Sequence, residues 1–258
     1  MLLAVDVGNS TTVVGVFSGD RLEHRWVVST SVARTVDEHA LLIAGLLARS
    51  GIELKADVTG AVIGSVVPTV TETLRALFLR ELAGDTRPLV VEPGVRTGIA
   101  IRHDHPQDLG ADRIANAVAV NALYGGPAVV VDLGTAISVD AIDASGAFIG
   151  GAIAPGVLVG AEALAARAAR LPTVEPIAPD SPIGRSTTTA LQSGIINGAA
   201  GLVDGLVSRI SLELGQGVTT VATGGVAELV LDRCATIDHH DPALTLKGLR
   251  LVWERNTR

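Results

Sequence analysis

Two segments half a chain apart carry nearly the same instruction: Leu2-Leu3-Ala4-Val5-Asp6-Val7-Gly8-Asn9-Ser10 and Val129-Val130-Val131-Asp132-Leu133-Gly134-Thr135-Ala136. In each, an apolar run ends at an aspartate, and an apolar residue, a glycine and small polar side chains follow. A second run rich in β-branched residues comes next, Thr11 to Phe17 in one copy and Ile137 to Ile142 in the other. The strand fixes where the carboxylate points, and the glycine lets backbone N–H groups approach a ligand, as phosphate-cradling turns require. Ser10, Thr11 and Thr135 add hydroxyl donors. One Asp-x-Gly turn alone also describes an ordinary hairpin. Two copies point to a duplicated half facing its twin across a nucleotide.

The rest of the pattern agrees with duplication. Hydrophobic periodicity predicts strands over 2–6, 11–17 and 23–28, a helix over 36–50, a strand over 61–67, a helix over 68–82 and a strand over 88–92. Residues 97–110 read as a loop, and 111–124 as a helix closed by Gly125-Gly126-Pro127. The second half repeats the plan with strands over 128–132, 136–142 and 147–153, then helices near 156–170 and 187–214. A strand over 218–223, a Gly224-Gly225 turn, a short helix over 226–232 and a last helix from Pro242 to about Asn256 complete the chain. Each half is βββαβα-like, a mixed α/β layer architecture.

Composition narrows the function classes. The chain has 258 residues, enough to bury a large core. Its mean hydropathy of +0.44 raises the question of a membrane. The uncharged run 146–161 is too short and too interrupted by glycines and Pro155 to span one. No basic segment or cleavage site marks a signal peptide. The lone Cys234 excludes an internal disulfide and fits a reducing cytoplasm. A net charge of −7 and the lack of a Lys/Arg run argue against nucleic acid, and six aromatic residues make a poor base-stacking platform.

Three constellations carry chemistry. Asp6 and Asp132 end their strands at the edge where α/β sheets bind ligands. There a carboxylate either holds a cation against phosphate oxygens or simply caps its turn. Thr223-Gly224-Gly225 follows a strand and opens a helix, so its N–H groups and the helix dipole are aimed for phosphate or adenosine. Gly110-Ala111-Asp112-Arg113 opens a helix after an irregular loop. Asp112 is then either a favourable dipole partner or a general base for a hydroxyl, with Arg113 clamping an anion on the same substrate. His103 and His105 flank Asp104 without a third metal ligand at suitable spacing, and His239-His240 reads as a solvated loop. No Gly-x-Ser-x-Gly, P-loop or dinucleotide fingerprint occurs.

Taken in order, Asp6 to Ser10, Gly110 to Arg113, Asp132 to Ala136, Gly150-Gly151-Ala152-Ile153-Ala154-Pro155-Gly156 and Leu244-Thr245-Leu246-Lys247-Gly248-Leu249 resemble the motifs of type III pantothenate kinase. The resemblance runs from residue 1 to about 256. It implies an acetate-kinase/sugar-kinase/Hsp70/actin-type fold, with two ribonuclease H-like halves over 1–114 and 115–258. It also implies ATP-dependent phosphorylation of pantothenate to 4′-phosphopantothenate, the first step of coenzyme A synthesis, in a cytoplasmic homodimer using Mg²⁺ and potassium or ammonium.

By that resemblance Asp112 is the proton acceptor, and His103, Gly110, Ala111, Asp112, Arg113 and Thr187 contact pantothenate, Thr187 from the partner subunit. Asp6, Val7, Gly8, Asn9, Ser10, Thr11, Thr12, Val13 and Thr135 contact ATP, and Asp132 holds the monovalent cation. The family usually has tyrosine at the place of His103 and threonine at that of Ser10. No basic side chain stands at Val13, so backbone N–H groups and cations must balance the triphosphate. The alternatives are a kinase for another small alcohol or carboxylate, and an ATP-binding regulatory protein of this fold without phosphotransfer.

Overall fold

Ten strands and seven helices form two five-stranded sheets of the same topology in this computed structural model, which describes residues 1–82, 86–168 and 171–257. The first sheet is built from β1 (Leu2–Val7), β2 (Thr11–Ser18), β3 (Arg21–Ser29), β4 (Gly60–Ser65) and β5 (Leu89–Val90), in the order β3-β2-β1-β4-β5. Its helices are α1 (Val36–Ala48), α2 (Leu54–Asp57) and α3 (Pro68–Glu81). After α4 (Ala111–Leu123), the second sheet takes β6 (Ala128–Leu133), β7 (Ala136–Ile142), β8 (Phe148–Pro155), β9 (Thr219–Thr223) and β10 (His239–His240), in the order β10-β9-β6-β7-β8. The remaining helices are α5 (Val157–Arg167), α6 (Thr187–Leu214) and α7 (Leu244–Thr257). In both sheets the first three strands are an antiparallel meander, and the fourth and fifth run parallel to the first.

The chain divides into two compact units. One comprises 1–98, 104–119 and 244–258, the other 99–103 and 120–243. A single cut at 114/115 would have left α7 with the second half; its packing assigns it to the first. Leu246, Leu249 and Trp253 of α7 lie over Gly15, Gly64 and Gly60, where a Cβ would come within 2.7, 2.7 and 2.3 Å of them. Those glycines share the sheet face that carries Ala4 and Asp6, since Ala4 pairs Gly15 and Asp6 pairs Gly64. The opposite face (Leu3, Val5, Val7, Val14, Val16, Ala61, Ile63) is covered by Ile43 and Leu47 of α1 and by Val70, Leu74, Leu77 and Phe78 of α3. Deleting side chains on one face is what lets a second helix layer sit close enough to expel water there.

In the second unit, Val129, Val131, Leu133, Ile137 and Val139 pack against Ile196, Ala200, Val203 and Val207 of α6. That i, i+4, i+7, i+11 spacing is one stripe of the helix. By length and composition α6 is the one described helix apolar enough to cross a membrane. Its stripe in the core reads it as a packing helix of this sheet, with a second apolar face outward.

Three local expectations are corrected. His239 and His240 are not loop but β10, pairing Val221 and Ala222, so the second sheet gains a fifth strand that matches the one expected in the first. Two residues are too few for a periodicity signal. The helix expected over 226–232 is two three-residue 3₁₀ turns, Ala227–Leu229 and Leu231–Arg233, because Ala227 and Val230 are both drawn into the core. The expected loop 97–110 is partly paired: Ile101 bridges Phe148, and Arg102 N–H donates to Phe148 O at 2.8 Å. The helix expected near 156–170 runs 157–167, and 169–170 lie outside the described residues.

Candidate active site

In the first unit, β1 delivers Asp6 half-buried to the C-terminal end of the strand, and the chain turns through 8–11 into β2. The Gly8 N–H donates to Thr11 O at 2.9 Å. The turn's carbonyls are tied from outside by Thr30, a residue no motif singles out. Its N–H donates to Ser10 O at 3.0 Å and its hydroxyl to Gly8 O at 2.7 Å. Because that proton is spent on Gly8, the buried Thr12 hydroxyl is the donor in the 2.8 Å Thr12–Thr30 contact. Thr12 therefore props the turn from beneath, while Asn9, Ser10 and Thr11 are exposed above it. Val13 stands beside Asp6 on β2.

Gly110 to Arg113 reach the same sheet edge. Val66 N–H donates to Val7 O at 3.0 Å, and Gly110 lies against Val66, a Cβ there falling 3.3 Å from its Cγ1. Asp112 is half-buried in the first turn of α4, after buried Leu109 and Ala111. Its Oδ1 accepts the Arg113 N–H at 2.8 Å, and no described residue donates to Oδ2. The same Oδ1 would lie 2.4 Å from a Gly110 Cβ, so glycine at 110 is the space into which the carboxylate folds.

In the second unit Asp132 occupies the equivalent position, half-buried at the end of β6. Its cross-strand neighbours on the same face are Ser138 of β7 and buried Thr223 of β9. This turn is one residue shorter than the first, with Gly134 N–H donating to Ala136 O at 3.0 Å. Thr135 is exposed at its tip. The carbonyl side is again engaged: Gly156 N–H donates to Thr135 O at 3.1 Å and Val226 N–H to Leu133 O at 3.1 Å. Gly224, at φ 104°, lies on the Leu133 backbone, 2.4 Å from its O to a notional Cβ. Thr223-Gly224-Gly225 thus locks β9 to the turn. No α-helix follows it, so the macrodipole expected there is missing.

His103 stands at the end of the 99–103 segment with its ring 6.3 Å from that of Phe148. Thr187 begins α6, exposed, after the Ser186–Thr189 capping box. With Leu171, Gly184, Arg185 and Ala190 it lines an open depression of about 640 Å³. Among the described residues no three His, Cys, Asp or Glu side chains converge as a metal site. Ser138 and Thr223 flank Asp132 in the sheet, and the Ser138 hydroxyl donates to buried Asp140 Oδ2 at 3.4 Å. Oxygen-bearing side chains of this kind suit a hard cation better than a transition metal. Burial, helped by the Asp204 carboxylate, pushes the Cys234 thiol up to about 11, which disfavours the reactive thiolate.

Comparison with known proteins gives one family. The family model described as type III pantothenate kinase matches residues 2–209. A type III pantothenate kinase of Thermobifida fusca is 50% identical over 260 residues, covering 100% of both chains. One of Frankia alni is 52% identical over 256 residues, covering 99% of this chain and 100% of its own. Among solved structures, the activator of 2-hydroxyisocaproyl-CoA dehydratase from Clostridium difficile aligns at TM-score 0.58 and 14% identity over 98% of this chain and 94% of its own. The ROK hexokinase of Thermus thermophilus aligns at 0.52 and 16% over 97% of each. These two share the fold.

Proposed function

The chain belongs to the type III pantothenate kinases, ATP-using enzymes that phosphorylate pantothenate in coenzyme A biosynthesis, and we propose how its residues divide that work. Asp112 is the general base. Its Oδ1 is anchored on the Arg113 N–H of a half-buried helix start, the observation that carries the assignment, and Oδ2 is the oxygen that takes the substrate hydroxyl's proton. As the hydroxyl oxygen of pantothenate bonds to the γ-phosphorus of ATP, its proton passes to Asp112, and the bond to the β,γ-bridging oxygen breaks to release ADP. Gly110 to Arg113 hold the acceptor, with the Arg113 guanidinium suited to its carboxylate, and His103 contributes a polar ring beside it.

The 6–13 segment receives the phosphates. Its carbonyls are tied to Thr30, which leaves a turn whose exposed side is N–H groups and hydroxyls. Thr135 contacts ATP from the second turn in the same manner. Asp132, with Ser138 and Thr223, suits potassium or ammonium. Such an ion, like Mg²⁺ on the triphosphate, supplies positive charge that no side chain at Val13 provides.

The active form is a homodimer, and Thr187 serves the partner's substrate. Only 22% of the most apolar stretch of α6 is buried within the chain. Between α5 and α6 runs a groove of about 490 Å³ lined by Val157, Gly160, Leu164, Gly194, Ile195 and Gly198, a surface that calls for a second copy. A half-buried Cys234 kept as a thiol fits the cytoplasm.

A coupled ADP-release assay with pantothenate, Mg²⁺ and potassium tests the base. Asp112→Asn should lower kcat by about 10²- to 10⁴-fold. Unchanged turnover overturns the assignment, and release of ADP without phosphorylated product overturns the transfer.

A further inference from the structure

We propose that Thr245 and Asn116 are positioning residues for phosphoryl transfer: the hydrogen bond between them sets the orientation of α4, and with it the Asp112 carboxylate. The proposal rests on the reading of Asp112 as base.

Asn116 is fully buried, a polar side chain in the apolar middle of α4. It lies four residues after Asp112, on the same face of the helix. Its Oδ1 accepts the Thr245 hydroxyl at 2.8 Å. One turn further along α7, Gly248 meets the backbone of Ala115 so closely that a Cβ would lie 1.9 Å from Ala115 O. The two helices therefore touch backbone to backbone immediately after the turn that carries Asp112, and the Thr245 to Asn116 hydrogen bond is a directional side-chain contact at that crossing. α7 is itself seated by Leu246, Leu249 and Trp253 on the glycine face of the first sheet. A rigid path thus leads from the sheet through α7 to the first turns of α4.

Apolar contact is non-directional and lets a helix rotate or slide by a fraction of a residue. A buried hydrogen bond does not, because a small rotation leaves a donor and an acceptor unmet in a low-dielectric interior. The carboxylate at the start of α4 swings with any such rotation, and misplacement by about 1 Å costs a reacting pair on the order of 10²-fold in rate. The Leu244-Thr245-Leu246-Lys247-Gly248-Leu249 motif, which no step of phosphoryl transfer uses directly, acquires a role: apolar seats, one polar latch and one glycine contact.

The test compares Thr245→Val, which keeps the shape and removes the hydroxyl, with Thr245→Ser, which keeps the hydroxyl. Steady-state kinetics on the full-length enzyme should show kcat reduced roughly tenfold in T245V with KM for ATP unchanged, and near-normal kcat in T245S. Asn116→Ala should lower kcat similarly, and the N116A/T245V double variant should lose little more than the worse single one. A purely structural contact predicts a lower Tm with kcat per folded enzyme unchanged, and that outcome overturns the proposal; so does an equal loss in T245S and T245V. Should T245V not fold, Thr245→Ala takes its place with the same expectation. Asp112→Asn runs alongside: an active D112N removes the base assignment, whereas an inactive D112N with an unaffected T245V removes only the positioning role.

Discussion

His39 on α1 is buried at 3% exposure, and its Nε2 has no hydrogen-bond partner among the described residues. Burial, reinforced by the Arg34 charge and opposed by Glu38, holds its imidazole below the usual value of 6.5. The unfolded chain then binds the extra proton more readily than the fold does. The neutral ring's contribution is complete above about pH 6.5 and is lost as pH falls through that value toward the lowered folded pKa. Tm of the wild type should drop between about pH 7 and 5.5 more steeply than that of His39→Leu, measured by circular dichroism; parallel curves would remove His39 as the cause. Asp112 makes the opposite case of a polar residue readable in advance. Asp at a helix start signals either a dipole partner or a base; here one of its oxygens accepts the Arg113 N–H, and Gly110 supplies the space into which the carboxylate folds. Thr30, Ser138 and Asn116 carried no local signal. A lone hydroxyl or amide becomes informative only when distant strands or helices are brought beside it.

Elements were more legible than their joints. β1, β2 and α6 stand within a residue of where periodicity puts them, because each has a strong apolar stripe. The 3₁₀ turns after β9 and the two-residue β10 leave no periodic signal, since pairing and burial of Ala227 and Val230 override weak local preference there. One joint is held by a charge. Asp204 of α6 accepts the N–H groups of Ala235 and Thr236 at 3.0 and 3.1 Å and the Thr236 hydroxyl at 2.7 Å. Asp204→Ala should cost about 1–3 kcal/mol of stability, read by urea denaturation. It should also speed thiol labelling of Cys234 next door. An unchanged midpoint and labelling rate would show the loop to be held by other contacts.

At the scale of the whole molecule the proposed homodimer is tested at the outward face of α6 and the α5–α6 groove. Leu164→Glu places a charge in that groove. It should yield a monomer by light scattering and lower turnover roughly tenfold or more, because the proposed site takes Thr187 from the partner and is then incomplete. A fully active monomer would overturn the shared site.

The duplicated Asp-x-Gly turns, the α/β class and the Gly110 to Arg113 start of α4 were determined by the sequence itself, because each is written in a continuous run whose periodicity or turn chemistry is local. The tertiary structure alone decided that the final helix belongs with the first unit. It also decided that Thr30 and Gly156 take the turns' carbonyls, and that Asn116 meets Thr245 across the α4–α7 contact. Those are agreements between residues far apart in the chain. Only burial, by making an unmet polar group or an empty space costly, selects among the many pairings that a sequence permits.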